Sequence, residues 1–227
     1  MAASTSGDDG PGAGRLEPVQ GRSRRTRDRL LVAARAVLSR EGVEGSTVAA
    51  IAEEAGVAVG TVYRRFPDKE ALLRHLEEVF LAGRREYWTG ALRRERWAGR
   101  SLESFYEFFA GEVVRRHREE AGFLRAVATR ARAEYEASVA PESGRPWAAV
   151  TDLVLGLWGE RIRRRPGARA VALTLEMISA TAGELVLFRG GAATSAGLTG
   201  AVLARELARA SVAYLTAAPG GVAGGVA

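Results

Sequence analysis

At 227 residues, 47% of them hydrophobic, the chain is long enough to bury one generous core or two modest ones, which excludes a wholly disordered protein. The absence of cysteine excludes a disulfide framework and a thiolate centre, and two distant histidines, His75 and His117, argue against a histidine-built site, so neither metal nor cofactor is expected. The formal charge of +6 fits a polyanionic partner, and it is carried almost wholly by arginine, since Lys69 is the only lysine.

No signal-peptide core opens the chain. The most apolar later stretch, Trp147 to Trp158, is too short to cross a bilayer and carries Asp152, so no membrane partner is expected and the localisation is read as cytoplasmic.

Residues 1–21, rich in Gly, Ser, Pro and Ala, have too few large apolar side chains to offset the entropy of ordering and read as a disordered leader. Arg22, Arg24, Arg25, Arg27 and Arg29, around Asp28, form a basic arm running into a first helix, whose apolar stripe is Leu30, Ala33, Ala34, Val37 and Leu38 and which stops at Gly42. Thr47 is placed as the N-cap of a second helix carrying Val48, Ile51, Ala52 and Ala55, and Gly56 closes it as a left-handed C-cap. A third helix, about Val59 to Arg65, is broken by Phe66 and Pro67.

Asp68 then caps a fourth helix, from Lys69 through Leu72, Leu73, Leu76, Val79, Phe80 and Trp88 to about Arg94. Five more helices follow, at about Leu102–His117, Ala121–Val139, Trp147–Arg164, Ala168–Arg189 and Ala196–Thr216, with breaks at residues 141–144, 166–167 and 190–191. The fold class is all-α with about nine helices, and residues 218–227 read as a disordered tail.

The most informative run is TVAAIAEEAGVAVGTVYRRFPDKEALL, residues 47–73. Each part has a mechanical reason. Ala52 is small where two helices cross, Gly56 makes the turn, and Val57 and Val62 face inward, so the third helix projects outward. Such a helix can enter a DNA major groove with its first residues nearest the bases.

Val59, Gly60, Thr61 and Arg64 then stand at that surface. Arg64 or Arg65 can bridge the two acceptors of guanine, and the methyl groups of Thr61 or Val59 suit thymine. Tyr63 offers a phenolic donor, Lys69 an ammonium near the open N–H groups of the fourth helix, and Arg25 a cation on the arm.

The run resembles the signature of the TetR family of transcriptional regulators, specifically over about Arg24 to Leu73. By that resemblance Thr61, Tyr63 and Lys69 match positions that meet the phosphate backbone, and Thr47 matches a backbone-contacting cap. It implies a helix-turn-helix DNA-binding domain over 22–68 and a helical effector-binding and dimerisation domain over 69–217. The expected partners are a near-palindromic double-stranded operator, a small-molecule effector and a second copy of the chain, with the effector releasing a repressor.

The last two helices would form a four-helix dimer seam through Met177, Thr181, Leu185 and Phe188 on one and Leu203, Leu207, Ala210 and Tyr214 on the other. Bulky walls for an effector pocket are sought at Trp88, Phe105, Phe108, Phe109, Phe123, Tyr135, Trp147 and Trp158. His117, Asp152, Glu176 and Glu184 are the candidates for polar ligand contacts, and Arg161, Arg163, Arg164 and Arg165 read as hydrated cations at a helix end.

No enzyme is expected. A Walker loop and a strand-borne Gly-x-Gly-x-x-Gly are both missing, and ATSAG at 193–197 resembles a hydrolase nucleophile elbow only without its strand. The alternative from another class is a ligand-binding or scaffolding homodimer whose helix-turn-helix does not contact DNA.

Overall fold

The computed structural model describes residues 17–128, 147–189, 197–198 and 200–218, of which 17–22 and 188 are described by backbone alone. Tyr135, the 193–197 run apart from Gly197, and most of the helix expected over 121–139 lie outside the described residues. Every regular element among the described residues is helical. These are α1 (Glu17–Gly45), α2 (Val48–Glu54), α3 (Val59–Tyr63), α4 (Lys69–Ala91), α5 (Arg94–Trp97), α6 (Leu102–Glu119), α7 over residues 121–128, α8 (Ala148–Trp158), α9 (Gly167–Gly183) and α10 (Gly200–Thr216).

Two apolar cores organise them. The head core gathers Leu30, Ala34, Val37 and Leu38 of α1, Ile51 and Ala52 of α2, Val62 of α3 and Leu72, Leu73 and Leu76 of α4. The body core gathers Leu102, Phe105, Tyr106 and Phe109 of α6 with Val154 of α8, Val171, Leu175 and Ile178 of α9, and Ala208 and Leu215 of α10. Each fully buried Leu or Phe contributes about 1.5–3 kcal/mol of transfer free energy, so both cores are substantial. α4 serves both: its first turns bury leucines in the head, while Trp88 and Leu92 pack on the body.

Several boundaries depart from the sequence reading. α1 begins at Glu17, ahead of the Arg22 expected, and its regular part ends at Gly42 (φ 72°), the left-handed position that favours glycine. α4 stops at Ala91 instead of Arg94, and a separate short turn, α5, follows. α5 exists to bury Trp97, whose indole N–H donates to the Ala91 carbonyl at 2.9 Å and whose ring lies 5.0 Å from Phe105.

α8 ends at Trp158, well short of Arg164, and passes into a 3-10 turn, Gly159–Arg161. α9 widens after Gly183 into a π turn, Glu184–Phe188. The run Gly167–Leu187 is long and apolar enough by composition to cross a membrane, yet half of it is buried in the body core. Its apolarity thus has a packing reason.

Candidate nucleic-acid interface

The head is built around the α2–α3 turn. Thr47 is extended, and its hydroxyl accepts from the Ala50 N–H at 3.1 Å, satisfying one of the open donors of α2. At the other end Gly56 takes φ 62°, its N–H donates to Glu53, and the Val57 N–H reaches back to Ala52, each at 2.9 Å. This pair of bonds is the Schellman closure, which turns the chain sharply into α3.

Arg29 on α1 then clamps the turn from outside, donating to the Ala55 carbonyl and, at 3.5 Å, to that of Gly56. A side chain at position 56 would press on that guanidinium at 3.1 Å. Arg40 ties α1 to α2 through Glu54 at 3.2 Å.

α3 is shorter than expected, with Arg64 as its C-cap. Five residues rise about 7.5 Å, which a major groove about 12 Å wide admits end-on or along its floor. Val62 is buried beneath it, while Val59 (41% exposed) and Tyr63 (52% exposed) face out. Gly60 and Arg64 are also exposed, with open space where a Gly60 side chain would stand. Arg64 donates to the Thr61 hydroxyl at 2.9 Å, which lays its guanidinium along the outer face of α3.

Arg65 is turned inward by comparison: it is half-buried and donates to the Ser23 hydroxyl on α1 at 2.9 Å, so of the two arginines Arg64 is the better placed to reach bases. Arg25 is exposed on α1, and Thr47 is exposed at the start of α2. Lys69 is half-buried at the start of α4 and donates to the Val43 carbonyl at 2.6 Å, which fixes the ammonium beside the head and leaves two of its hydrogens. Phe66, read as a helix breaker, is itself buried in the head core, 5.8 Å from the His75 ring.

The candidate pocket residues divide. Phe105, Phe109, Trp147, Trp158 and Trp88 form one aromatic cluster with Trp97, with ring centroids of 5.3 Å for Trp88–Phe109, 5.9 Å for Phe109–Trp147 and 5.4 Å for Phe105–Trp158. Phe123 does not join them. It is buried in the head core, 4.8 Å from Phe80 and under the guanidinium of Arg35.

Asp152, Glu176 and Glu184 are exposed, so they are surface carboxylates and not buried ligand contacts; Glu184 pairs with Arg189 at 3.4 Å. His117 is buried, and its Nδ1–H donates to the Val113 carbonyl at 2.8 Å. Burial, and secondarily the Arg84 charge, hold its pKa below the ordinary 6.5 against the opposing pull of the Val113 bond and Glu120. Tyr106 and Thr174, both fully buried, share a 2.7 Å hydrogen bond, and burial pushes the phenol up to about 12.

Among the dimer candidates, Leu185 and Leu203 are buried within the chain itself, while Thr181, Leu207 and Tyr214 are half-buried. The buried stripe of α10 is Leu203, Ala204, Ala208, Ser211 and Leu215, which packs along α6. The apolar side chains left on the surface of the last two helices are Leu173 (43%) and Met177 (44%) on α9 and Val202 on α10. The side chain of Phe188 lies outside the description.

Arg161 pairs with Glu103 at 2.5 Å, and Arg164 donates to the Tyr214 carbonyl at 3.2 Å and covers its ring, so these cations join helix ends. Sequence reasoning missed the clamp made by Arg29, the burial of Trp97 and the half-buried position of Arg84. Arg29 is one cation in a run of them, and Trp97 follows a predicted helix end without a periodic partner. Arg84 had no signal.

A compact head with one exposed short helix after a tight turn, set on a helical body, defines a helix-turn-helix protein. In sequence, residues 30–76 match the family described as bacterial regulatory proteins, tetR family. In structure, the chain resembles one named as a TetR-family transcriptional regulator from Mesorhizobium loti MAFF303099, with a TM-score of 0.62 and 23% identity over 86% of this chain and 96% of that one. It also resembles another so named from Rhodococcus sp., with a TM-score of 0.59 and 17% identity over 85% of this chain and all of that one. No curated protein matches the chain in sequence. Residues 30–76 are therefore similar to the tetR-family segment, and the chain as a whole shares the fold of these two structures.

Proposed function

We propose that the chain is a homodimeric, cytoplasmic and non-enzymatic repressor that leaves its operator when a small, partly hydrophobic effector binds the body. The observation that carries the reading is α3 itself: Val59, Gly60, Tyr63 and Arg64 are exposed on a helix whose other face, Val62, is buried and whose preceding turn is locked by Arg29. Base contacts are assigned to Arg64, with Val59 and Thr61 against thymine methyl groups, and Arg65 as its neighbour. Phosphate contacts are assigned to Thr47, Tyr63, Lys69 and Arg25.

Two such helices in successive major grooves require a separation of about 34–36 Å, which a dimer through α9 and α10 would set. The seam is drawn through Thr181, Leu207 and Tyr214 with the exposed Leu173, Met177 and Val202. An effector that fits a splayed state better lowers DNA affinity by its differential affinity for the two states, commonly about 1–3 kcal/mol.

The test is a titration of the purified protein against the DNA flanking its own gene across a salt series, with a random duplex as control. Tight, salt-sensitive, sequence-selective binding is expected. Lys69→Ala should weaken binding to both duplexes alike and reduce the salt slope by about 1. Binding no tighter than to the random duplex would favour the scaffolding reading.

A further inference from the structure

α4 runs antiparallel to α6 and α7, and the two surfaces meet in rungs. Trp88 meets Phe109, ring centroids 5.3 Å apart. One step towards the head, Tyr87 donates to Glu112 and lies under the Arg116 guanidinium at 3.4 Å. Nearest the head, Phe80 meets Phe123 at 4.8 Å.

Arg84 falls between these rungs, and the charged and titratable groups facing it are Arg116, His117 and Glu120. Glu120 is engaged by Arg35 of α1 at 3.7 Å. Arg84 is half-buried and makes no hydrogen bond or ion pair with any described residue, although a guanidinium carries five donors. A charge withdrawn from water without a partner is costly, and such positions are characteristic of binding sites.

The third side of this rung is α9. Gly183 brings no side chain there, and the position its Cβ would take has nothing nearer than His117 Nε2, at 4.0 Å. Directly after Gly183 the helix widens into the π turn, whose Leu187 carbonyl accepts from Arg125 Nε at 2.6 Å. Single π turns within α-helices are frequent at functional sites. Because His117 Nδ1–H is committed to Val113, the neutral ring presents a lone pair at Nε2 towards that space.

We propose that Arg84 and His117 are the polar end of the effector site, and that the effector is an aromatic or aliphatic monocarboxylate. Its carboxylate takes the Arg84 fork, a hydroxyl or N–H donates to His117 Nε2, and its apolar body lies towards Trp88, Phe109 and Trp147. One carboxylate is specified because Arg84 offers one guanidinium fork without an ion pair among the described residues, whereas Glu112 is engaged by Arg115 and Arg116 and Glu120 by Arg35. This names the ligand class for the effector site of the repressor reading above and rests on it.

The experiment titrates the full-length protein calorimetrically with 3-phenylpropionate, 2-hydroxy-3-phenylpropionate, and the primary amide and amine of each. Carboxylates should bind, the hydroxylated one more tightly, with amides and amines weaker by about tenfold or more. Arg84→Gln should weaken the carboxylates by about tenfold or more and leave the amides unchanged, and His117→Ala should remove the advantage of the 2-hydroxyl. Gly183→Ala, which fills the space beside Nε2, should weaken the same compounds without removing a polar group.

Amides binding as well as carboxylates, carboxylate affinity indifferent to Arg84→Gln in a protein with an unchanged melting curve, or no carboxylate binding at all would overturn the proposal. The same samples are titrated with the gene-flanking duplex. DNA binding without carboxylate binding removes this inference alone, and carboxylate binding without DNA binding removes the repressor reading instead.

Discussion

His117 shows how a single buried side chain writes a pH dependence into the protein. Burial lowers its pKa from 6.5 in the folded state, so below that value the unfolded chain binds a proton that the folded chain refuses. The sign follows: stability is full above about pH 6.5, falls as pH drops through the interval below it, and levels off once the folded-state value is passed. The melting temperature should therefore decline from pH 6.5 towards pH 5, and His117→Gln should remove the decline in that interval. An unchanged profile in the variant would place the acid sensitivity elsewhere.

At the same scale the sequence was readable wherever a residue acts on its own neighbours. Thr47, Gly56 and Asp68 cap as their types and spacing require, the last accepting from the Ala71 N–H at 2.7 Å. Lys69 and Arg65 were legible as cations but not as partners of Val43 and Ser23, because those contacts span about 26 and 42 positions of chain.

Elements were legible where one apolar stripe met a strong cap, and less so where tertiary packing decides. The start of α4 follows from Asp68, whereas its end at Ala91 is set by the demand of Trp97 for a buried berth, which no local pattern announces. α10 carries two adjacent stripes, and its sequence does not say which is covered. The structure puts Leu203, Ala204, Ala208, Ser211 and Leu215 inward, leaving Leu207 and Tyr214 half-exposed.

The relation among elements that matters most to the head is the Arg29 clamp, which holds the α2–α3 turn to α1. Arg29→Ala should lower stability by about 1.5 kcal/mol, the low end for a charge-assisted bond because the side chain is largely exposed. It should also weaken DNA binding, since α3 would no longer be held at a fixed angle. Denaturant unfolding checks the first effect and duplex titration the second. Equal DNA affinity would mean that the Gly56 closure alone fixes the turn.

In the molecule as a whole, the two cores do not divide the chain at a single position. Phe123 and Ala126 of α7, far along the chain, complete the core of the head. α7 approaches α1 so closely that a Cβ at Gly122 would lie 2.6 Å from the Ser39 carbonyl oxygen. Sequence periodicity marks Phe123 as buried without saying in which core, which is why it was grouped with the body aromatics. Phe123→Ala should destabilise the head by about 3–5 kcal/mol, seen as lost amide protection across α1 and α2 in hydrogen exchange. Losses confined to the body helices would contradict that placement.

That borrowed α7 segment bears on how portable the head is. Residues 17–76 cut out alone would expose the apolar surface that Phe123 and Ala126 cover. A chimera that grafts this head onto the body of another regulator must carry residues 121–128 as well, or redesign the face of α1 and α4 beneath them. Head and body are thus exchangeable only as a matched pair, and a substitution within the head core has to be compatible with a helix belonging to the body.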